Sequence, residues 1–401
     1  MDPITAMLEK VLAEVASDGS GETAAYIPEL AEADPDLLAF GLVGPRGRVF
    51  TAGDESAPFT IQSMSKPFVL ALALELHGRD EVFRRVGAEP SGEPFNAISL
   101  EARTGRPANP MVNAGAIATT ALIPGADVDE RTGRIVGMMS KFAGRSLWID
   151  EAVYASESAT GDRNRALAHL LKSYEIIQGS VTDAVETYFR QCSVLVTVRD
   201  LAVMAATLAF GGRNPVTRDQ VVSERVARDV TSIMASCGMY DFSGEWMLRV
   251  GLPAKSGVSG GVIAVAPSQF GVAAFSPRLD PHGNSVRASR IVEILSDRFG
   301  MHLLEPHESI AAPGIGVEQS PDGVLVRLGG ELGFAGAERV LSMLREVAAA
   351  APESTLITVD VGELARSHPA AVTVLRTEIE NLAPRFRLQE EPARVSDAAG
   401  A

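Results

Sequence analysis

The chain has 401 residues, 46% of them hydrophobic and 22% charged, with a formal net charge of -15. That length exceeds what one hydrophobic core ordinarily supports, so two domains are expected, and the composition is that of a globular protein. The negative balance excludes nucleic-acid backbones and anionic membrane surfaces as main partners, because both require clustered Lys and Arg.

Ile4, Leu8, Val11 and Leu12 share one face of an amphipathic helix at the start, and this opening lacks the basic region and unbroken apolar core of an export signal. Next, "LLAFGLVGPRGRVFTAG" reads as two strands joined by a Pro-Arg-Gly turn, a β-hairpin with a short loop. The apolar run "PFVLALALELH" stops at Glu75 and is too short to cross a bilayer, so the chain is not expected to be integral to a membrane. The long middle of the sequence reads as helices, among them "RALAHLLKSYEIIQ", "DAVETYFRQC" and "VRDLAVMAATLAF". A second hairpin, "GGVIAVAPSQFGVAAFSP", turns at Pro267 to Gln269. Strands at both ends with helices between them predict an α+β fold: one antiparallel sheet built from the two ends, flanked by helices, with a helical subdomain beside it.

After Leu304 the string "EPHESIAAPGIGVEQSPDG" has the composition of a linker, placed at 305–313. A small α/β unit is expected at 314–391: a strand in "GVLVRLGGELGF", a helix in "AERVLSMLREVAAAA", a buried strand in "STLITVDV" and a helix in "PAAVTVLRTEIENLA". Residues 392–401 read as a frayed tail. Cys192 and Cys237 form neither a CxxC pair nor a disulfide framework, which points to a reducing cytoplasm. The six histidines show no metal-like spacing, and no metal or organic cofactor is expected.

The stretch with chemical content is "FTIQSMSKPFVLALAL", from Phe59 to Leu74. Pro67 has no N–H and is tolerated only in the first turn of a helix, so a helix begins close to Ser63. Residues three apart lie on one side of a turn, so Ser63 and Lys66 face each other, whereas Ser65 is about 100° round from Lys66. Ser63 is therefore the candidate nucleophile. A serine hydroxyl needs an adjacent base, and a lysine serves when burial and neighbouring positive charge lower its pKa toward neutrality. Ser-x-x-Lys also fits a plain helix start, with the serine as cap and the lysine solvated. Further on, "LPAKSGVSGGV" places Lys255-Ser256-Gly257 just before the second hairpin. Serine acyl-transferases of the β-lactamase and penicillin-binding class pair Ser-x-x-Lys with Lys-Thr/Ser-Gly on an edge strand, in this order. There the strand brings backbone N–H groups to a developing oxyanion, and Lys255 would add positive potential.

The strings "AAYIPELA", "GAEPSGEPFN", "NPMVNAGAI", "SESATGDRN", "CGMYDFSG" and "GLPAKSGVSGG", together with "IQSMSKP", closely resemble the serine-dependent glutaminase family over Met1 to Leu304. The resemblance implies a β-lactamase/transpeptidase-like catalytic domain at 1–304 that hydrolyses L-glutamine to L-glutamate and ammonia. It implies Ser63 as nucleophile, Lys66 as its base and Tyr240 as partner in the proton relay. It also implies substrate contacts from Tyr26, Ser63, Asn113, Glu157, Asn164, Tyr188, Tyr240 and Val258, and a homodimer or homotetramer. The residue types suit that chemistry, since a carboxylate such as Glu157 holds an ammonium, and Asn and Tyr donors hold a carboxylate. Read singly, Tyr188 and Tyr240 also fit core aromatics, and Asn113 fits the cap of a helix starting at Ala114. Ser158 and Thr160 depart from the family, which often has Arg and Ser there. Two alternatives stay open: a β-lactamase or transpeptidase on the same fold, and a regulatory binding protein with a vestigial site.

Residues from Gly314 to about Glu391 resemble the domain shared by sulfate transporters and anti-sigma factor antagonists (STAS), a small sheet with helices on one side. In that family an Asp-Ser-Ser-Gly string carries a phosphorylated Ser or Thr; here Ser367 precedes His368-Pro369 instead. The resemblance therefore implies a docking or dimerisation module, with a protein partner, rather than a phosphorylation switch.

Overall fold

The computed structural model describes residues 2–92, 98, 100–305, 314–320 and 323–389. All of the expected linker except Glu305, the whole expected tail and the "EPFN" of one family string lie outside the described residues. The chain divides into two compact units. The larger holds Thr5–Asp297 and Met301–Leu304, and the smaller holds Glu305–Ala401 with Met1–Ile4 and Arg298–Gly300.

The strands of the larger unit, in chain order, are β1 (Ala39–Val43), β2 (Val49–Gly53), β3 (Phe59–Thr60), β4 (Leu195–Val196), β5 (Ala254–Ser256), β6 (Gly261–Ala266) and β7 (Phe270–Phe275). Five of them form one sheet in the order β2-β1-β7-β6-β5. Every pairing is antiparallel, and the two expected hairpins meet where Ala39 pairs with Phe275 and Val43 with Gly271. β1, β6 and β7 are buried at every position, which is why they read as continuous apolar runs rather than alternating ones.

The helix Val198–Ala209 packs on β1, β6 and β7. A Thr197–Asp200 capping box starts it, and every residue in it except Arg199 is buried. The contact is close because Gly271 has no side chain: a Cβ there would lie 2.0 Å from the backbone nitrogen of Ala206. The helix Lys66–Arg85 is buried without a break from Lys66 to Leu74, with Pro67 in its first turn as expected. A separate core of Ile117, Leu167, Leu171, Val185 and Phe189 joins the helices Asn113–Ala121, Asp162–Ser173 and Val181–Cys192 into the helical subdomain.

One helix is shorter than its periodicity suggests. "RALAHLLKSYEIIQ" is helical only to Ser173, because Glu175 takes a left-handed conformation (φ 59°) and Ile176 N closes the end on Leu171 O at 3.0 Å. Glycine is the usual residue at that position, so its sequence signal is missing.

The smaller unit has a four-stranded sheet of β8 (Gly314–Ser320), β9 (Gly323–Leu332), β10 (Ile357–Ser367) and β11 (Phe386–Gln389), in the order β11-β10-β9-β8. β9, β10 and β11 run parallel, and β8 is antiparallel to β9. The helices Phe334–Ala350 and Pro369–Asn381 are the two crossovers, and right-handed connections put both on one face. β8 lies in a stretch of linker-like composition; as an edge strand it takes backbone pairing from β9 without needing an apolar run. Among the described residues no helix is long and apolar enough to cross a membrane.

Gly271→Ala is expected to destabilise the protein by about 1–3 kcal/mol, the usual cost of overpacking. Urea unfolding followed by far-UV circular dichroism measures it, and an unchanged midpoint would show that the helix and sheet can separate freely.

Candidate active site

Antiparallel β3 and β4, with Ile61 N donating to Val194 O at 2.8 Å, hold the chain before the nucleophile candidate against the end of the helix Val181–Cys192. The backbone then makes a 3₁₀ turn, Gln62–Ser65, before the helix Lys66–Arg85. Gln62 is left-handed (φ 48°), and so is Tyr240 (φ 59°) at the start of a second 3₁₀ turn, Tyr240–Phe242. A non-glycine residue in this region costs on the order of 1–3 kcal/mol and persists only where its surroundings enforce it. Around Tyr240 that enforcement comes from Ser243, whose Oγ accepts from Met239 N at 3.0 Å and donates to Tyr240 O at 2.8 Å.

Ser63 is 8% exposed, and Lys66, one turn on, is 2% exposed. The Lys66 amine donates to Met111 O at 3.1 Å and Asn113 Oδ1 at 2.8 Å. Burial lowers its pKa to about 8, against a smaller upward pull from Cys192. A neutral amine has two N–H groups, which these two acceptors satisfy, and its lone pair is left for a proton. Tyr240 Oη donates to Ser256 O at 3.2 Å, so it faces Ser63 as an acceptor in their hydrogen bond. Burial raises the pKa of this phenol, and the hydrogen bond from Ser63 partly offsets that.

Asn113 is the first residue of its helix and not the cap, which frees its side chain. Its Oδ1 accepts from Lys66 and from Tyr188 Oη at 3.2 Å, while its Nδ2 donates to Asn164 Oδ1 at 3.1 Å. On the other side Tyr26 Oη donates to Glu157 Oε1 at 2.7 Å and lies 3.3 Å from Gln62 Oε1. Burial raises the Glu157 pKa, and hydrogen bonds from Tyr26 and Gln62 partly offset it. Val258 lies in the turn between β5 and β6 and packs against Ile27, Leu30 and Val153, beside the segment carrying Tyr26. The same turn abuts the 3₁₀ turn of Ser63: a Cβ on Gly257 would sit 3.1 Å from Ile61 O and 3.2 Å from Met64.

The nine expected residues thus fall in one region, linked through Ser63–Tyr240, Lys66–Asn113–Asn164 with Tyr188, and Tyr26–Glu157. The sequence reading missed Gln62, which contacts both Tyr26 and Glu157. A left-handed glutamine ahead of a helix carries no periodic or capping signature. Lys255 stands on β5, an edge strand of the sheet. It is fully buried, its amine donates to Ser256 O at 2.8 Å and lies 3.8 Å from the Tyr240 ring centre, and burial with nearby Lys66 holds its pKa well below the ordinary lysine value. Ser158 and Thr160 keep local partners, with Ser158 Oγ bonded to Glu186 and Arg165 and Thr160 Oγ1 donating to Ser156 O. Among the described residues no group of three or more His, Cys, Asp or Glu is placed to hold a metal ion.

The family model described as Glutaminase matches residues 21–304. The chain belongs to the glutaminase family. The curated glutaminase of Trichormus variabilis is 50% identical over 303 residues, spanning 76% of this chain and 91% of that protein. The glutaminase of Corynebacterium glutamicum is 44% identical over 382 residues, spanning 95% of this chain and 92% of that protein. Among solved glutaminase-like structures, that of Mglu in its glutamate form superposes with a TM-score of 0.75 at 40% identity, covering 98% of this chain and 99% of that one. The likeness to the Corynebacterium glutamicum glutaminase and to Mglu therefore extends beyond residues 21–304 into the smaller unit.

The Lys66 amine is expected to titrate near 8 when its Cε resonance is followed by NMR against pH. A midpoint at the ordinary lysine value of about 10.4 would mean that the amine is solvated rather than enclosed.

Proposed function

We propose that this site hydrolyses the side-chain amide of L-glutamine to L-glutamate and ammonia through a glutamyl ester on Ser63, with Lys66 as general base. The observation that carries the reading is the pairing of a buried serine with a buried lysine one turn away whose pKa burial brings down to about 8.

In this reading Glu157, steadied by Tyr26, holds the α-ammonium of glutamine, and Asn113, Asn164 and Tyr188 bind its α-carboxylate. The γ-carbonyl lies over Ser63, polarised by the backbone N–H groups of Ser63 and Val258. Ser63 Oγ attacks the carbonyl carbon while its proton passes to neutral Lys66. The tetrahedral intermediate collapses as Lys66 and Tyr240 deliver that proton to the departing nitrogen; the C–N bond breaks, ammonia leaves and the ester remains. Water adds to the ester with its proton taken by the same relay, the bond to Ser63 Oγ breaks, and Ser63 recovers a proton as glutamate is released.

The smaller unit is read as a STAS-like docking or dimerisation module, supported by its parallel β9, β10 and β11 with crossover helices. Ser367 ends β10 and His368 caps the next helix, with Nδ1 accepting from Ala370 N at 3.3 Å, so no phosphorylation switch is included. A homodimer or homotetramer rests on the family resemblance. Both cysteines are free and buried, which supports a reducing, cytoplasmic setting.

Ammonia release from L-glutamine by purified wild type is expected to fall at least about a thousandfold in Ser63→Ala, with matched unfolding curves. Equal turnover by the two would overturn the reading. Because the base acts as the neutral amine, kcat/KM should climb as pH rises through about 8. Because the receptor for the α-ammonium acts as the carboxylate, KM should climb as pH falls through a value above the ordinary glutamate range.

A further inference from the structure

Behind the reacting groups lies a dry polar junction that the mechanism above does not use. Gln191 is 1% exposed and next to last in the helix Val181–Cys192. Its Nε2 donates to Ser65 Oγ at 3.3 Å, and its Oε1 accepts from Thr120 Oγ1 at 2.7 Å. Ser65 and Thr120 are both fully buried. The single Thr120 proton is shared between Gln191 Oε1 and Ala116 O of its own helix, the latter at 2.9 Å, with Gln191 the nearer acceptor. Cys192 continues the junction: its sulfur is hydrogen-bonded to Ser65 and to Tyr188.

The three elements meeting here carry the site. The 3₁₀ turn ending at Ser65 holds Ser63 and leads directly into Lys66, the helix containing Thr120 begins at Asn113, and the helix containing Gln191 carries Tyr188. The Asn113 side chain in turn grips the Lys66 amine. One amide therefore fastens the base's turn, the helix of the base's acceptor and the helix of a substrate contact at a single point. An apolar residue of similar volume would fill this space without the cost of desolvating an amide. Directional bonds in a dry site fix position in a way that apolar contact does not.

We propose that Gln191 is a positioning residue for catalysis: by clamping Ser65 and Thr120 it sets the separation of Lys66 and Asn113 and keeps the base enclosed. Ser65, which faces away from Lys66 and is not the nucleophile, is the clamp's hold on the reacting turn. The inference rests on the Ser63–Lys66 reading above. A displacement of about 1 Å at a reacting group costs about a hundredfold in rate, so a clamp remote from the substrate controls turnover.

The test is ammonia-release kinetics against pH for full-length wild type, Ser63→Ala, Gln191→Met, Ser65→Ala and the Gln191→Met/Ser65→Ala double variant. Gln191→Met is expected to lower kcat at least about tenfold. It should also move the acid limb of kcat/KM upward from near 8 by about half a unit or more, as water reaches Lys66. Ser65→Ala should shift the limb the same way, and the double variant should be no worse than the poorer single one, since both cut one clamp. A lowered Tm in Gln191→Met with kcat and the limb unchanged would overturn the proposal and leave Gln191 purely structural, and so would additive losses in the double variant. If Gln191→Met does not fold, Ser65→Ala decides through the limb alone. Inert wild type or active Ser63→Ala would sink the parent reading, whereas active wild type, dead Ser63→Ala and an unmoved limb in the clamp variants would sink only this one.

Discussion

Lys66 is 2% exposed, and the two acceptors its amine meets, Met111 O and Asn113 Oδ1, are both supplied by protein. Much of the larger unit's architecture answers this requirement. The helix Lys66–Arg85 must run through the core to bury the amine, and the chain at 111–113 must lie across its first turn to receive it. Burying a lone ammonium is costly enough that proteins shift the pKa of the group rather than bear the full penalty. Here that shift is what the proposed mechanism draws on, since a general base is needed near neutrality.

Two backbone departures adjoin Ser63, one in sequence and one through a hydrogen bond. Gln62 and Tyr240 are both left-handed and both without the excuse of being glycine. Neither conformation repays its cost locally. Each is held by bonds from its surroundings, from the β3–β4 pair before Gln62 and from Ser243 beside Tyr240.

What the sequence made legible follows from what leaves a periodic trace. The two hairpins, the first-turn proline at Pro67 and the helical middle are governed by local rules, and they stand where those rules put them. Glu175 ended a helix without the usual glycine, and β8 paired along an edge with little apolar content, so both escaped notice. Within the site, Ser63 and Lys66 could be paired by spacing, but the contacts of Gln62 and Gln191 and the lowered pKa of Lys255 depend on neighbours far along the chain. Burial and through-space charge are properties of the assembled core, and no window of sequence contains them.

The pairing of β1 with β7 joins segments from near the two ends of the larger unit. Chain closure over such a span adds little to the equilibrium cost, since each doubling of a loop costs only about 0.6 kcal/mol, but it slows the search for the native arrangement. During synthesis β1 and β2 therefore wait as an incomplete sheet while the helices emerge and pack. The strand bearing Lys255 and the turn bearing Val258 lie on that late side of the chain. The surroundings of Ser63 are therefore complete only when this hairpin docks on β1.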